Sequence, residues 1–258
     1  MTTIDLGIVG VGAIAEAIVT GLCAGPGAAP SILLSPRGRS RSQALASRYP
    51  SVRVADDNES VVREARVVLL SVRPQDADTA LRGLAFAPGQ AVISVMAGIP
   101  LVRLRALAAP AAELAIAIPL PSVAQRRGLT PIYPRQQDAQ TLFDRLGRTI
   151  VAADEGALEA FSAASATVAA HFAYLASIGN WLAAQGIEKD VAVRYVAAAF
   201  APLAEALSPP PADLMTLAEE HATRGGINEQ FYVALRDAGV FETVERSLDQ
   251  ISDRLNQR

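Results

Sequence analysis

The chain is short of the residues from which many catalytic sites are built. Cys23 is its only cysteine, so it can close no internal disulfide and build no cysteine zinc site. Its two histidines, His171 and His221, stand far apart in sequence, and no metal site is expected. Lys189 is the only lysine; the remaining basic charge is arginine. A net charge of −3 gives no basic surface for nucleic acid. The opening Met1-Thr-Thr-Ile-Asp5 runs straight into a strand pattern, without the basic start and cleavage site of a signal peptide. A cytoplasmic protein is the expectation.

Charge is also missing locally. Ala160 to Ile187 contains no Asp, Glu, Lys or Arg. The stretch is long enough to span a bilayer. It is rich in alanine and serine, however, and carries His171, Asn180 and Gln185. Alanine removes little area from water, so transfer into lipid gains little. The expectation is a helix buried all round, in a core or an oligomer interface, with no membrane partner.

What is present falls into two patterns. Up to about residue 153, short apolar runs alternate with helical periodicity. Strands are expected at Asp5–Gly10, Ile32–Ser35, Val52–Ala55, Val67–Val72, Ala91–Val95, Leu114–Ile118, Leu129–Ile132 and Thr149–Val151. Helices are expected at Ile14–Ala24, Arg39–Arg48, Asn58–Glu64 and Gln75–Leu84. This alternation implies an α/β domain with a parallel sheet. After Asp154 only helical patterns remain: Ala157–Gln185, with a bend at Gly179, Lys189–Leu207, Asp213–His221, Asn228–Ala238 and Phe241–Asn256. The Ser208-Pro-Pro-Pro211 run is expected to break the helices. The expected organisation is a Rossmann-type domain over 1–153 and an all-helical domain over 154–258.

The strongest local signal is Gly10-Val-Gly12-Ala13-Ile14-Ala15, which follows a strand and opens a helix. Gly10 permits a tight turn, Gly12 lets backbone approach a pyrophosphate, and Ala15 lets the helix pack close to the strand. The helix start offers free N–H groups to phosphate. The second strand ends in Leu34-Ser35-Pro-Arg37-Gly-Arg39-Ser40. No acid stands there to hold ribose hydroxyls, whereas arginine matches a 2′-phosphate in charge and fork geometry. Ser35, Arg37 and Arg39 therefore point to NADPH ahead of NADH.

The single lysine narrows the choice of reductase. A short-chain dehydrogenase needs Tyr-x-x-x-Lys, but Gln185 stands four residues before Lys189. The β-hydroxyacid dehydrogenases use a helix lysine, and Lys189 in Gly186-Ile-Glu-Lys-Asp190 reads as a solvated helix start. No evident general acid serves an alcohol–ketone couple. A protonated imine carries positive charge at carbon and chiefly needs alignment, which proximity and orientation can provide.

The segments Gly7–Ile18, Leu70-Ser71-Val72-Arg73-Pro74-Gln75 and Ser94-Val-Met-Ala97-Gly98-Ile99 resemble three successive landmarks of the pyrroline-5-carboxylate reductases. That resemblance implies a Rossmann domain followed by a helical dimerisation domain. It also implies NADPH-dependent reduction of a small cyclic imine carboxylate, as in conversion of pyrroline-5-carboxylate to proline. Ser71, Val72, Arg73, Pro74, Ala97 and Gly98 would line the nicotinamide pocket; the family has Lys where Arg73 stands. The C-terminal helices would interlock with a second copy to form at least a homodimer. Towards the substrate the pattern departs: Leu120 replaces the family's asparagine, and Ala164–Ala170 carries none of its glycines, proline or tyrosine. Thr223-Arg224-Gly225-Gly226-Ile-Asn228 keeps both glycines, with Asn228 where the family's substrate-facing threonine stands.

Read on its own terms, that loop offers backbone donors and a guanidinium to a substrate carboxylate through Arg224, Gly225 and Gly226. Asn228, a candidate helix cap, would bond the reacting atom, with Thr223 and Ser165 as further catalytic candidates. Thr167 is a candidate substrate contact, unless its hydroxyl only bonds back into its helix. His171 is read as a core histidine; facing a cleft instead, it would be an acid near neutral pH and would reopen a ketone substrate. Trp181 and Tyr174 read as core or interface, Cys23 as buried and inert. The alternatives kept open are another imine or small keto substrate, and an NADPH-binding sensor without chemistry.

Overall fold

Strands β1 (Ile4–Val9), β2 (Ile32–Leu34), β3 (Val52–Val54), β4 (Ala65–Leu70), β5 (Ala91–Ser94), β6 (Glu113–Ala117), β7 (Gly128–Tyr133) and β8 (Gly147–Val151) form one sheet in the order β3-β2-β1-β4-β5-β6-β7-β8. They belong to a computed structural model that describes residues 4–207 and 213–256; the Ser208–Pro211 run expected to break the helices lies outside the described residues. The first six strands are parallel and follow the doubly wound dinucleotide-binding order. β7 departs from the expected parallel sheet: it pairs antiparallel to β6, Ile116 opposite Tyr133, and β8 then runs parallel to β7. Only a short turn at Pro121–Gln125 joins β6 to β7, and a parallel return needs a longer crossover.

Helices α1 (Ala13–Cys23), α2 (Arg39–Arg48), α3 (Asn58–Glu64), α4 (Ala77–Leu81), α5 (Leu101–Leu107) and α6 (Gln137–Asp144) connect the strands. α5 and α6 were not among the expected helices. The expected Gln75–Leu84 helix is a tight Pro74–Asp76 turn followed by α4. Successive residues of β4 feed opposite cores: Val67 and Leu69 pack into one, Val68 and Leu70 into the other. The first core also holds Ile8, Ile18 and Phe143; the second holds Val9, Val61 and Leu104. A sheet covered on both faces needs such unbroken apolar strands.

Gly21 of α1 is where this packing is tightest. A methyl group there would collide with the Val123 carbonyl, and would lie 2.6 Å from Leu146. Gly21→Ala should lower stability by about 1–3 kcal/mol in urea unfolding. Helix propensity alone would raise it by about 1 kcal/mol, so the sign of the change decides whether the contact exists.

By its internal contacts the chain divides at Ser162/Ala163, within α7 (Glu155–Ser165), and again at Ile251/Ser252, after which the chain groups with the first unit. α8 (Thr167–Ala184), α9 (Lys189–Phe200), α10 (Leu214–His221), α11 (Ile227–Asp237) and α12 (Val240–Asn256) follow. The single helix expected over Ala157–Gln185 is interrupted at Ala166, whose N–H bonds Ala163 only three residues back while the Thr167 hydroxyl takes the Ala164 carbonyl. α8 then runs through Gly179 without a break. α9 gives way to tighter winding at Ala201–Leu207, where Pro202 has no N–H to continue it.

The helical unit has almost no core of its own. Among its described residues, Ala163–Ile251, the buried hydrophobic side chains are Ala163, Ala192 and Val196. α8 was expected to be buried all round, yet none of its residues is buried within the chain. By length and composition Glu155–Ala184 is apolar enough to cross a membrane, with mean hydropathy 1.3.

Candidate functional site

The carboxyl ends of the parallel strands gather the loops that the sequence marked. At the end of β1, Gly10 has φ +92°, and an added Cβ would lie 2.7 Å from the Ser71 carbonyl oxygen and from Val72. Only glycine fits that turn. Its N–H donates to the Ser35 hydroxyl at 2.9 Å. Gly12 is different: it caps α1 with no side-chain acceptor, and nothing lies within 4 Å of where its Cβ would be. Ala13 and Ile14 then open α1, and the first amides of a helix have no partner within it, the arrangement that can receive a phosphate. Ala15 is fully buried, so it serves helix packing and is not a cofactor contact. Glu16, the one acid in this first turn, is paired with Arg41 at 2.7 Å.

The loop after β2 corrects one expectation. Ser35 was expected to touch the cofactor, but it is fully buried. It holds Gly10 through its hydroxyl, while its carbonyl accepts from Ser42 Oγ at 3.0 Å. Ser35 positions the glycine turn and cannot reach a ligand. Arg37 and Arg39 are exposed. Gly38, φ +88°, caps α2 without a side-chain acceptor, and no acid stands in that helix's first turn. A second uncapped helix start, carrying arginine, therefore lies on the same edge as the first.

After β4, Ser71, Val72 and Pro74 are half-buried, while the exposed Arg73 turns to Asp76, its Nε 3.0 Å from Oδ2. After β5, Ala97 is exposed and Gly98 turns the chain with φ +71°. These loops share the carboxyl edge of the sheet with the glycine turn, as dinucleotide sites do in open α/β sheets.

In the helical unit, Thr167, His171, His221 and Asn228 line one groove of about 670 Å³ together with Tyr174, Phe231 and Phe241. His171 is therefore not the core histidine expected. Thr167 lines the groove while its hydroxyl bonds back to Ala164. Asn228 is not the cap of α11; Gly226 is, and Asn228 Nδ2 donates to the His221 carbonyl at 3.1 Å. Thr223 to Gly226 close a turn through Gly226 N–H to Thr223 O at 2.8 Å. The Gly225 N–H, expected to face an anion, donates instead to the Glu229 carboxylate at 2.6 Å. Glu229 is the third residue of α11, and its carboxylate reaches past the Gly226 cap to the Gly225 amide; an acid at this spacing from the Gly-Gly pair was the readable signal. Ser165 ends α7. Trp181 is 61% exposed and not core. Cys23 is half-buried, and burial raises its thiol pKa. Among the described residues no cluster of His, Cys, Asp or Glu is placed to hold a metal ion.

Comparison with known proteins agrees with this division. A family described as NADP oxidoreductase, coenzyme F420-dependent, matches residues 5–98, and the pyrroline-5-carboxylate reductase dimerisation family matches residues 155–258. A pyrroline-5-carboxylate reductase of Vibrio alginolyticus is 29% identical over 86% of this chain and 85% of its own length. One of Pseudomonas aeruginosa is 28% identical over 67% of this chain and 66% of its own length, just under two thirds. The solved Plasmodium falciparum pyrroline carboxylate reductase with NADP bound superposes with a TM-score of 0.82 over 99% of this chain and 98% of that one, at 15% identity.

Proposed function

Because the chain belongs to the pyrroline-5-carboxylate reductase family, NAD(P)H-dependent oxidoreductases acting on C=N bonds, we propose that it reduces a small cyclic imine carboxylate with NADPH. The observation that carries the cofactor choice is the pair of uncapped helix starts on one sheet edge. One lies behind the clear space at Gly12; the other carries Arg37 and Arg39 with no acid beside them. The first holds the pyrophosphate and the second the 2′-phosphate. Ser71, Val72, Arg73 and Pro74, with Ala97 and Gly98, flank the nicotinamide. When bound, NADPH supplies the hydride.

The chain's own contribution is alignment. A substrate iminium is already protonated in solution, so its carbon needs orientation more than acid assistance. With Nδ2 donated to His221, Asn228 has its Oδ1 left to accept a hydrogen bond from the substrate nitrogen. Arg224 is the cation for a substrate carboxylate, with Thr223 and Ser165 as neighbouring hydroxyl contacts. The reaction is placed in the cytoplasm, in a homodimer joined through the C-terminal helices.

A second reading has one observation in its favour. Because the Gly225 amide is held by Glu229, the Gly225-Gly226 turn has one donor fewer for a carboxylate and a negative charge close by. A neutral imine or small keto compound would suit that turn better. NADPH consumption should be followed with pyrroline-5-carboxylate, with the same ring lacking the carboxylate, and with small ketones. Preference for the first supports the leading reading; preference for the others supports the second. Tight NADPH binding with no turnover on any of them would make the protein a sensor and overturn both.

A further inference from the structure

We propose that Asp76 sets how far this protein prefers NADPH over NADH, by giving Arg37 a counter-charge with which a 2′-phosphate must compete. The inference rests on the cofactor reading above and assigns a role to a residue outside both the glycine turn and the arginine loop.

The geometry is specific. In the sheet β1 lies between β2 and β4, so those two strands are about 9–10 Å apart. Arg37 follows β2, and Asp76 closes the turn after β4. Their side chains nevertheless meet, Arg37 Nη2 lying 3.6 Å from Asp76 Oδ2. The contact therefore spans the carboxyl end of β1, beside the turn that begins at Gly10. The same Asp76 oxygen lies 3.0 Å from Arg73 Nε and 2.9 Å from Arg73 Nη2. One carboxylate oxygen thus serves two guanidinium groups. Arg73 holds it at hydrogen-bonding distance and keeps it in place. Arg37 makes a longer, purely charged contact and is 61% exposed, which leaves it free to turn towards a phosphate.

Charge then decides the direction of the effect. With NADH, Arg37 keeps Asp76 as its counter-ion, and no unbalanced arginine faces the ribose hydroxyl. With NADPH, Arg37 is shared between phosphate and carboxylate, and the carboxylate repels the phosphate. Both effects work against NADPH relative to NADH, so Asp76 restrains a preference that the arginines create.

Asp76→Asn keeps the size and removes the charge. In calorimetric titrations of the full chain with NADPH and with NADH, the ratio of the two dissociation constants should move towards NADPH by about three- to tenfold at low salt. The shift should shrink at about 0.5 M salt, where screening falls to a few ångströms. Asp76→Ser should move the ratio the same way, and it covers the case in which Asp76→Asn does not fold. If the wild-type chain binds both dinucleotides and neither variant moves the ratio towards NADPH, the role of Asp76 is overturned while the cofactor reading stands. If the wild-type chain binds neither, the cofactor reading fails and this inference goes with it.

Discussion

Phe172→Asp should turn a dimer into a poorly folded monomer, seen as a halved mass in light scattering and a loss of reductase activity. Phe172 is 64% exposed on α8, and Trp181 on the same helix is 61% exposed. Nine residues apart, they are separated by about 900° of helix rotation and so lie on opposite sides of it. A helix apolar on opposite sides is one that neighbours cover on more than one side. The chain itself does not cover it, since no residue of α8 is buried and the helical unit's own buried hydrophobics are three small or medium side chains. Monomers rarely leave so much apolar surface in water. The match of residues 155–258 to a dimerisation family supports a second copy as the proposed cover. Buried aromatic anchors at such interfaces are worth about 2–4 kcal/mol each, and an added carboxylate costs more where it cannot be solvated. A Phe172→Asp protein that keeps its dimer mass would show that α8 is not the joining surface.

Gly12→Val should abolish cofactor binding while leaving the fold intact, and Gly10→Ala should damage the fold itself. The two glycines look alike in the sequence and differ in what surrounds them. Gly12 has φ −91°, which any residue adopts, and nothing lies near its missing side chain. The Cβ of a replacing side chain has no protein atom within 4 Å and enters the clear space proposed for phosphate. NADPH affinity should fall at least about a hundredfold, roughly 3 kcal/mol, with an unchanged unfolding midpoint. Gly10 combines φ +92° with a Cβ position 2.7 Å from the Ser71 carbonyl oxygen. Its replacement should cost about 2–4 kcal/mol of stability, through strain and crowding at once. Equal stability losses in the two variants would mean that Gly12 is also packed, and that the clear space is not a ligand site.

The fold was largely legible because its strands are unbroken apolar runs and its first turn carries glycine for a physical reason. Each of the eight expected strands is present, shifted by at most a few residues at its ends. The antiparallel pairing of β7 was missed because periodicity does not give a strand's direction, although the short connection from β6 could have been read for it. α5 and α6, of seven and eight residues, were not among the expected helices, whereas α3, equally short, was. The candidate site was less legible than the fold. Ser35 reads as a polar residue at a strand end, and only its burial shows that it serves Gly10 rather than a ligand. Asp76 stands three residues after Arg73, a pairing that spacing alone suggests, but its reach to Arg37 depends on the strand order. Asn228 was expected as a helix cap, yet Gly226 caps α11 and Asn228 lines the groove, while the Glu229 carboxylate, for which no role was expected, stabilises the loop. In each case the sequence shows a polar side chain near a turn, and which partner it takes is decided by residues distant in the chain.

Phosphate resting against the start of α1 is tested most directly by amide hydrogen exchange at Gly12, Ala13 and Ile14. Saturating NADPH should slow exchange at those amides, and at Arg39 and Ser40 opening α2; NADH should protect the first group and leave the second nearly unchanged. Exchange at the first turn of α1 that is indifferent to both dinucleotides would contradict the account, whatever activity the protein displayed.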